Sequence, residues 1–555
     1  MHRALISALP LLVGVANAAP AQHQEREQAQ AQALEADRRD LICIQVEPST
    51  VFLPTTIYVT ATASPSHSAE PLFTSAVTVA VAPALTTASA SAAAAALRVP
   101  LPVSSSGLLR WGNVTQQWTN TTTNTTTGCA ESAESAESHV PNRQYAPTTG
   151  NGVPKQTPVK PNKSVAARNV LYFTNWGIYD ADCQPQNLPA DKVTHLLYAF
   201  GDLSPDGTVI SSDTYADVEK RFAGDALSKR GNNAYGVVNQ LFALKKKNRG
   251  LKTLFSIGGS AHSRQGKFSK FAASEQGRKR FAASAVEFMA DWGMDGVDID
   301  WEHPRDAAEA RSFVELLRET RLAMDRYAAD NRQRYRYLLT VAAPAAPEHY
   351  RVLDLEAMDR YVDAWHLMGY DYAGPWDKTA GHQSNIRPDG SGAASTKFDT
   401  DQAVADYTRA GVPGNKMVLG LPLYGRSFGD TDGLGKAFKG AGRDATQEGV
   451  IPYHQLPRPG AVVRFDQRTG ATWSYDASSR ELVSYDDVES ARLKASYVKS
   501  KRLGGAVFWE ASGDKKGDES LVRAMAGSLG KLDDSENMLH YPNSRYDNIR
   551  NGLYQ

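Results

Sequence analysis

From about Arg168 onward, eight short apolar runs alternate with amphipathic stretches. The runs are Val170–Thr174, His195–Phe200, Thr253–Ile257, Gly296–Trp301, Tyr337–Ala342, Ala364–Met368, Met417–Leu421 and Gly505–Trp509. Their length and their Val, Ile and aromatic content suit strands. Between them, Val237–Lys247, Arg278–Trp292 and Ala307–Ala328 carry apolar residues at helical spacing. In the last of these Phe313, Leu316, Leu317 and Met324 share one face. Strand and helix alternating eight times predicts an α/β fold, a closed parallel (β/α)8 TIM barrel. An open doubly wound sheet competes, but no glycine-rich phosphate loop follows the first strand. The interval from Leu421 to Gly505 is too long for one helix and its loops. Within it, Ala461–Phe465, Ala471–Tyr475 and Glu481–Tyr485 read as short antiparallel strands, so residues 429–485 are expected to form a small domain inserted between strand 7 and helix 7.

The first 165 residues have a different character. Arg3, the apolar stretch from Ala4 to Ala16 and the small-x-small site Ala16-Asn17-Ala18 predict a signal peptide over residues 1–18. Residues 19–165 are rich first in Gln, Glu and Ala, then in Ser, Thr, Ala and Pro. Such a composition buries too little apolar surface to offset chain entropy and reads as a disordered, glycosylated extension. The four N-glycosylation sequons, at Asn113, Asn120, Asn124 and Asn162, all fall within it. The compact barrel is expected to follow over residues 166–555. A charge-free stretch from Ala76 to Leu97 is dominated by Ala, Ser and Thr and broken by Pro83, which argues against a membrane span.

With 61 basic and 61 acidic residues in 555, the net charge is zero. That removes the electrostatic argument for nucleic acid or an anionic membrane surface and favours a neutral partner. The three cysteines, Cys43, Cys129 and Cys183, show no zinc-site spacing, and their pairing is left open.

Chemistry concentrates at Asp295-Gly-Val-Asp298-Ile-Asp300-Trp-Glu302. Asp298, Asp300 and Glu302 sit two residues apart, so on a strand all three point to one face. Like charges so close cannot all ionise, and at least one proton is held near neutral pH. A retained carboxylic acid is what general acid catalysis requires. A polar face bridged to Lys or Arg, or a hard-metal site, is the plainer alternative.

In a barrel of this kind chemistry sits at the C-terminal strand ends. Those ends carry Tyr172, Phe173 and Trp176; Tyr198 and Phe200; Ser256-Ile-Gly258-Gly259; the acid triplet; Met368-Gly369-Tyr370-Asp371-Tyr372; Tyr424-Gly-Arg426; and Trp509-Glu510. Any one aromatic there is most simply core. Together, aromatic faces and carboxylates on one rim make a site for a neutral sugar ring.

On these residues the segment from about Arg168 onward resembles the chitinases of glycoside hydrolase family 18, in particular the secreted fungal type with an inserted α+β domain. Asp295, Asp298, Asp300 and Glu302 match its Asp-x-x-Asp-x-Asp-x-Glu motif, and Ser256, Gly258 and Gly259 its Ser-x-Gly-Gly motif. The resemblance implies that Glu302 is the general acid, that Asp300 turns and holds the substrate N-acetyl group, and that Asp298 shares a proton with Asp300. It implies that Tyr370, with Asp371 beside it, bonds the acetamido carbonyl, that Trp509 floors the sugar, and that Tyr424 and Arg426 contact it from the inserted domain. Tyr172, Phe200, Ser256, Gly258, Gly259, Asp295, Trp301 and Met368 complete the expected substrate-binding set. The implied chemistry is hydrolysis of β-1,4-linked N-acetylglucosamine by substrate-assisted retention, with no metal or cofactor. The expected partner is chitin or its oligomers, acted on outside the cell or at the cell wall, with no need for more than a monomer.

Gly369 and Phe508 depart from the family pattern, which more often has a small side chain and a second Trp there. Neither change removes a catalytic group. Two rivals remain: a chitin-binding lectin on the same barrel, which typically lacks the acid, and an endo-β-N-acetylglucosaminidase acting on glycoprotein glycans, which usually lacks the insertion.

Overall fold

The computed structural model describes residues 166–553, apart from Asp180, Asp182, 226–230, 391–393, Asp444 and Gln447. The expected signal peptide, the extension with its four sequons, Cys43 and Cys129 lie outside the described residues. Eight parallel strands form the barrel: β1 (Arg168–Thr174), β2 (His195–Leu203), β3 (Lys252–Gly258), β4 (Gly296–Asp300), β5 (Leu338–Pro344), β6 (Ala364–Met368), β7 (Met417–Pro422) and β8 (Gly505–Trp509). Each pairs with its sequence neighbours, and β1 pairs with both β2 and β8, which closes the sheet. The eight apolar runs of the sequence are these strands. β2 and β3 extend beyond the expected ends, and β2 adds an antiparallel partner, Val209–Ser211.

Helices α1 (Gly236–Lys247), α2 (Glu275–Asp291) and α3 (Ala307–Asp330) cover the outside of β2 to β5. Their starts have local causes. Ser274 accepts from the Gly277 amide, and Asp306 accepts from the Ala308 and Glu309 amides, satisfying donors that the first helical turn leaves open. In α3, Phe313, Leu316, Leu317 and Met324 are all buried, as the helical spacing predicts. Inside the barrel Val170, Leu197, Leu254, Val418 and Val507 form a separate apolar layer, and above it the interior turns polar.

The long interval after β7 folds as a five-stranded antiparallel sheet in the order Val450–Pro452, Tyr424–Phe428, Glu481–Tyr485, Ala471–Asp476, Val462–Asp466. The sheet begins at Tyr424, earlier than residue 429, because Tyr424–Phe428 pairs on both sides within it instead of continuing β7. Helix Val488–Lys501 then returns the chain to β8, started by a capping box between Asp487 and Ser490.

At the opposite end of the barrel, residues 531–553 strap across the strand starts. The Asn537 side-chain amide donates to the carbonyls of Lys245 and Leu251, the Met538 amide donates to Asp295, and the Tyr541 hydroxyl donates to the Met294 carbonyl. No described helix is long and apolar enough to cross a membrane.

Candidate active site

The strand register builds the site from the inside. Asp298 on β4 lies level with Ser256 on β3 and Thr340 on β5, and all three point inward. Asp298 is fully buried, and its two oxygens divide four neighbours. Oδ2 accepts from the Tyr172 hydroxyl at 2.9 Å and the Ser256 hydroxyl at 2.8 Å. Oδ1 accepts from the Thr340 hydroxyl at 2.5 Å and faces His366 Nδ1 at 3.2 Å. Burial alone would raise this carboxyl, but the bonds from His366, Thr340 and Ser256 outweigh it and hold the pKa below the ordinary value.

Two residues on, Asp300 behaves in the opposite way. Burial, then the charges of Glu302 and Asp298, push its pKa well up, and its carboxyl is hydrogen-bonded to Glu302. Burial likewise raises Glu302 to about 7, with Asp371 adding to the rise and the Asp300 hydrogen bond and Arg264 opposing it. Along β4 and the two residues after it, one carboxyl gives up its proton more readily than usual and two, Asp300 and Glu302, hold theirs more tightly. Asp300 is turned toward Glu302, and the oxygens of Asp298 are occupied by other donors.

The glycines of β3 allow this approach. Gly258 has φ +112°, and a Cβ there would lie 2.4 Å from the Asp300 carbonyl oxygen. Gly259, at φ +87°, would meet the Phe200 ring at 2.7 Å, and its amide donates to the Asp300 carbonyl at 2.8 Å. The turn after them brings in Ser263, whose hydroxyl accepts from the Glu302 amide at 2.8 Å.

Above the acids opens a cleft of about 850 Å³. Trp509 lies on its floor, 5.5 Å between ring centres from Phe200 and 5.1 Å from Tyr172, and Trp176 continues the series beyond Phe200 at 6.1 Å. On the far wall, Arg426 grips both oxygens of Asp371 with Nε and Nη2, each at 2.8 Å, and its Nη1 donates to the Glu448 carbonyl at 2.6 Å. The Tyr424 hydroxyl donates to the same Asp371 at 2.6 Å. Asp371 holds a left-handed backbone, φ +60°, at the end of β6. The Tyr370 side chain is half-buried at the cleft wall, and desolvation together with Glu302 and Asp300 keeps its phenol protonated far above neutral pH, so it is available as a donor.

Tyr172, Phe200, Gly258, Gly259, Asp300, Glu302, Met368, Tyr370, Asp371, Tyr424, Arg426 and Trp509 all line this cleft. Four residues of the expected set do not. Asp295 stands at the start of β4, at the other end of the barrel, where it pairs with the fully buried Lys245 at 2.8 Å and accepts from Tyr335 and the Met538 amide. It is an anchor for the strap and is remote from the cleft. The Trp301 ring faces outward, stacked on Phe268 at 5.3 Å and against Phe313 at 5.4 Å, because alternation along β4 sends it to the helix side. Ser256 and Asp298 sit beneath the floor. The reading of the sequence missed Trp376, about half exposed with Arg426 over its ring at 4.9 Å, and Arg264, His262 and Glu448. Trp376 and Glu448 lie in loops, and His262 and Arg264 in the single short helix Ser260–Arg264, too brief for a periodicity that marks a side chain for the cleft. Gly369 has a steric reason: a Cβ there would lie 2.7 Å from the Gly420 carbonyl oxygen.

Residues 168–514 match the family model described as glycosyl hydrolases family 18. The chain belongs to that family. Over 402 residues it is 46% identical to Chitinase 1 of Aphanocladium album, covering 72% of this chain and 95% of that protein. Among solved structures, the catalytic domain of psychrophilic chitinase B from Arthrobacter TAD20 superposes with a TM-score of 0.61 at 29% identity, over 68% of this chain and 98% of that one. A mutant class V chitinase from Nicotiana tobaccum in complex with NAG4 matches with a TM-score of 0.56 at 25% identity, over 66% of this chain and 99% of that one. This family 18 member is a glycoside hydrolase, and its acid triplet, Tyr370, Arg426 and Trp509 fall within the matched span.

Proposed function

We propose that the protein is a secreted chitinase that cleaves β-1,4 bonds between N-acetylglucosamine units with retention of configuration. The observation that carries this reading is the pair Asp300 and Glu302: two hydrogen-bonded carboxyls that keep protons toward neutral pH at the edge of a cleft floored by Trp509. The relatives named as chitinases, and the structure solved with NAG4, support the substrate class. In the proposed cycle Glu302 gives its proton to the glycosidic oxygen and the bond to the anomeric carbon breaks. The substrate's acetamido oxygen closes on that carbon, giving an oxazolinium ion. Asp300 orients the acetamido N–H, and the Tyr370 hydroxyl donates to its oxygen. Water then opens the ring, Glu302 takes the water's proton, and two inversions leave the original β configuration. Asp298 acts through Asp300, by its charge and by holding β4 in place. Residues 1–18 would direct secretion, and residues 19–165, glycosylated at Asn113, Asn120, Asn124 and Asn162, would form the extension.

The deciding experiment is hydrolysis of N-acetylglucosamine hexamer by the wild type and Glu302→Gln, with product anomers resolved. The expected result is short oligomers with the β-anomer initially in excess, lost in the variant. Binding of the hexamer without cleavage by the wild type would favour a lectin, and cleavage of glycoprotein glycans alone would favour an endo-β-N-acetylglucosaminidase.

A further inference from the structure

A second arm of about 350 Å³ opens beside Glu302. It shares Glu302, Met368, Tyr370, Asp371 and Trp376 with the main cleft, but Tyr172, Phe200 and Trp509 take no part in it. Its own wall includes His303 and His349. With the sugar to be cleaved resting on Trp509, Glu302 stands between that sugar and this arm. This arm gives the departing part of the chain a path along His303, the residue that directly follows Glu302.

The His303 ring stacks on that of His349, with centres 4.4 Å apart and planes 30° from parallel. Its Nδ1 is sealed from solvent and has no hydrogen-bond partner among the described residues. Two other imidazoles near the cleft face carboxylates, His366 facing Asp298 at 3.2 Å and His262 facing Asp202 at 3.4 Å. His303 instead faces another imidazole. Burial, and then His349, push its pKa down to about 3, so the ring is neutral and offers one donor and one acceptor. That set complements a sugar hydroxyl. A buried polar atom left without a partner costs stability and calls for an explanation. A ligand hydroxyl in the arm would supply a partner once the ring turns about Cβ–Cγ, a turn that no hydrogen bond among the described residues opposes.

We infer that His303, braced by the stacked ring of His349, hydrogen-bonds the leaving sugar and so determines specificity for substrates whose leaving group is itself a sugar. This inference rests on the chitinase reading of the cleft. The test compares kcat/KM on N-acetylglucosamine hexamer with that on 4-nitrophenyl chitobioside, whose leaving group is a nitrophenol. His303→Phe retains a planar ring for the stack and removes both nitrogens. The ratio of hexamer to aryl-glycoside kcat/KM is expected to fall about tenfold, the effect of one lost hydrogen bond to substrate. His303→Gln, which keeps a donor and an acceptor, should restore most of that ratio. His349→Leu should lower it in the same direction and serves where His303→Phe does not fold. A ratio within about threefold of wild type in both ring variants overturns the proposal, whether both rates fall together, as a purely structural role would give, or neither does. The underlying reading fails separately, when the wild type cleaves neither substrate.

Discussion

Asp298 Oδ1 lies 3.2 Å from His366 Nδ1, and the Thr340 hydroxyl reaches the same oxygen at 2.5 Å. With Tyr172 and Ser256 on Oδ2, four elements of the barrel converge on one buried carboxylate. The arrangement separates two tasks along a single strand. Asp298 is saturated with donors and stays ionised, while its charge helps keep the proton on Asp300, and the Asp300–Glu302 pair faces the cleft. A protonated acid at the cleft edge is therefore tied to an anion buried beneath it.

Replacing Asp298 with Asn tests this coupling. The amide nitrogen cannot accept, so two of the four neighbours lose the acceptor they now face and must reorient inside a buried site to accept instead. Loss of about 2–5 kcal/mol of stability is expected from the unmet buried groups. A urea unfolding curve measures it, and a midpoint unchanged from wild type would contradict the saturated geometry.

Glu302 gives a prediction with a definite sign in pH. Its pKa in the fold is raised from the ordinary 4.5 to about 7, mainly by burial. Between those values the native state holds a proton that the unfolded chain has released. This contribution to stability is fully present below about pH 4.5 and is lost as pH rises through about 7. Glu302→Gln has no such proton to lose, so its stability relative to wild type should rise between pH 4 and pH 8, by roughly 1–3 kcal/mol. Thermal unfolding at the two pH values reads the difference. For the wild type, kcat/KM should decline above about pH 7 as the acid form is depleted.

Arg426 holds Asp371 through Nε and Nη2 while Nη1 donates to the Glu448 carbonyl and the guanidinium lies over Trp376. Lys keeps the charge but cannot span these partners. Arg426→Lys is expected to lower kcat/KM on the hexamer about tenfold, chiefly through KM, since Asp371 and the Trp376 wall would be held less firmly. Steady-state kinetics separate the two constants, and an effect confined to kcat would point to a direct role in the chemistry.

The barrel was legible because its strands and helices impose periods of two and 3.6 residues on the chain, and runs such as Ala364–Met368 and Gly505–Trp509 coincide with strands residue for residue. The clustering of Asp300, Glu302, Tyr370 and Trp509 followed from placing motifs at strand ends. Two kinds of residue escaped. Trp376 and Glu448 reach the cleft from loops, which carry no period. Asp295 and Trp301 belong to the motif by spacing, yet one lies at the far end of β4 and the other points outward, because a motif marks a strand and its neighbours as well as the groups facing the cleft. The boundary of the inserted sheet slipped for a related reason: Tyr424–Phe428 reads as a continuation of β7 until its pairing is known.

Lys245 tests the placement of Asp295 directly. Both side chains are fully buried, their charges lie 2.8 Å apart, and Lys245 also donates to the Gly293 carbonyl and the Tyr541 hydroxyl. Removing one partner of such a pair leaves a buried charge uncompensated, at a cost of about 3–5 kcal/mol. Lys245→Met should therefore lower the unfolding midpoint sharply, whereas KM for the hexamer, measured well below that midpoint, should stay within about twofold of wild type because the pair lies at the opposite end of the barrel from the cleft. A Lys245→Met/Asp295→Asn double variant should recover part of the lost stability, since it removes the stranded carboxylate. If KM instead rose in step with the loss of stability in both variants, Asp295 would have to act on the substrate after all, and the separation of the barrel into an anchoring end and a reacting end would fail.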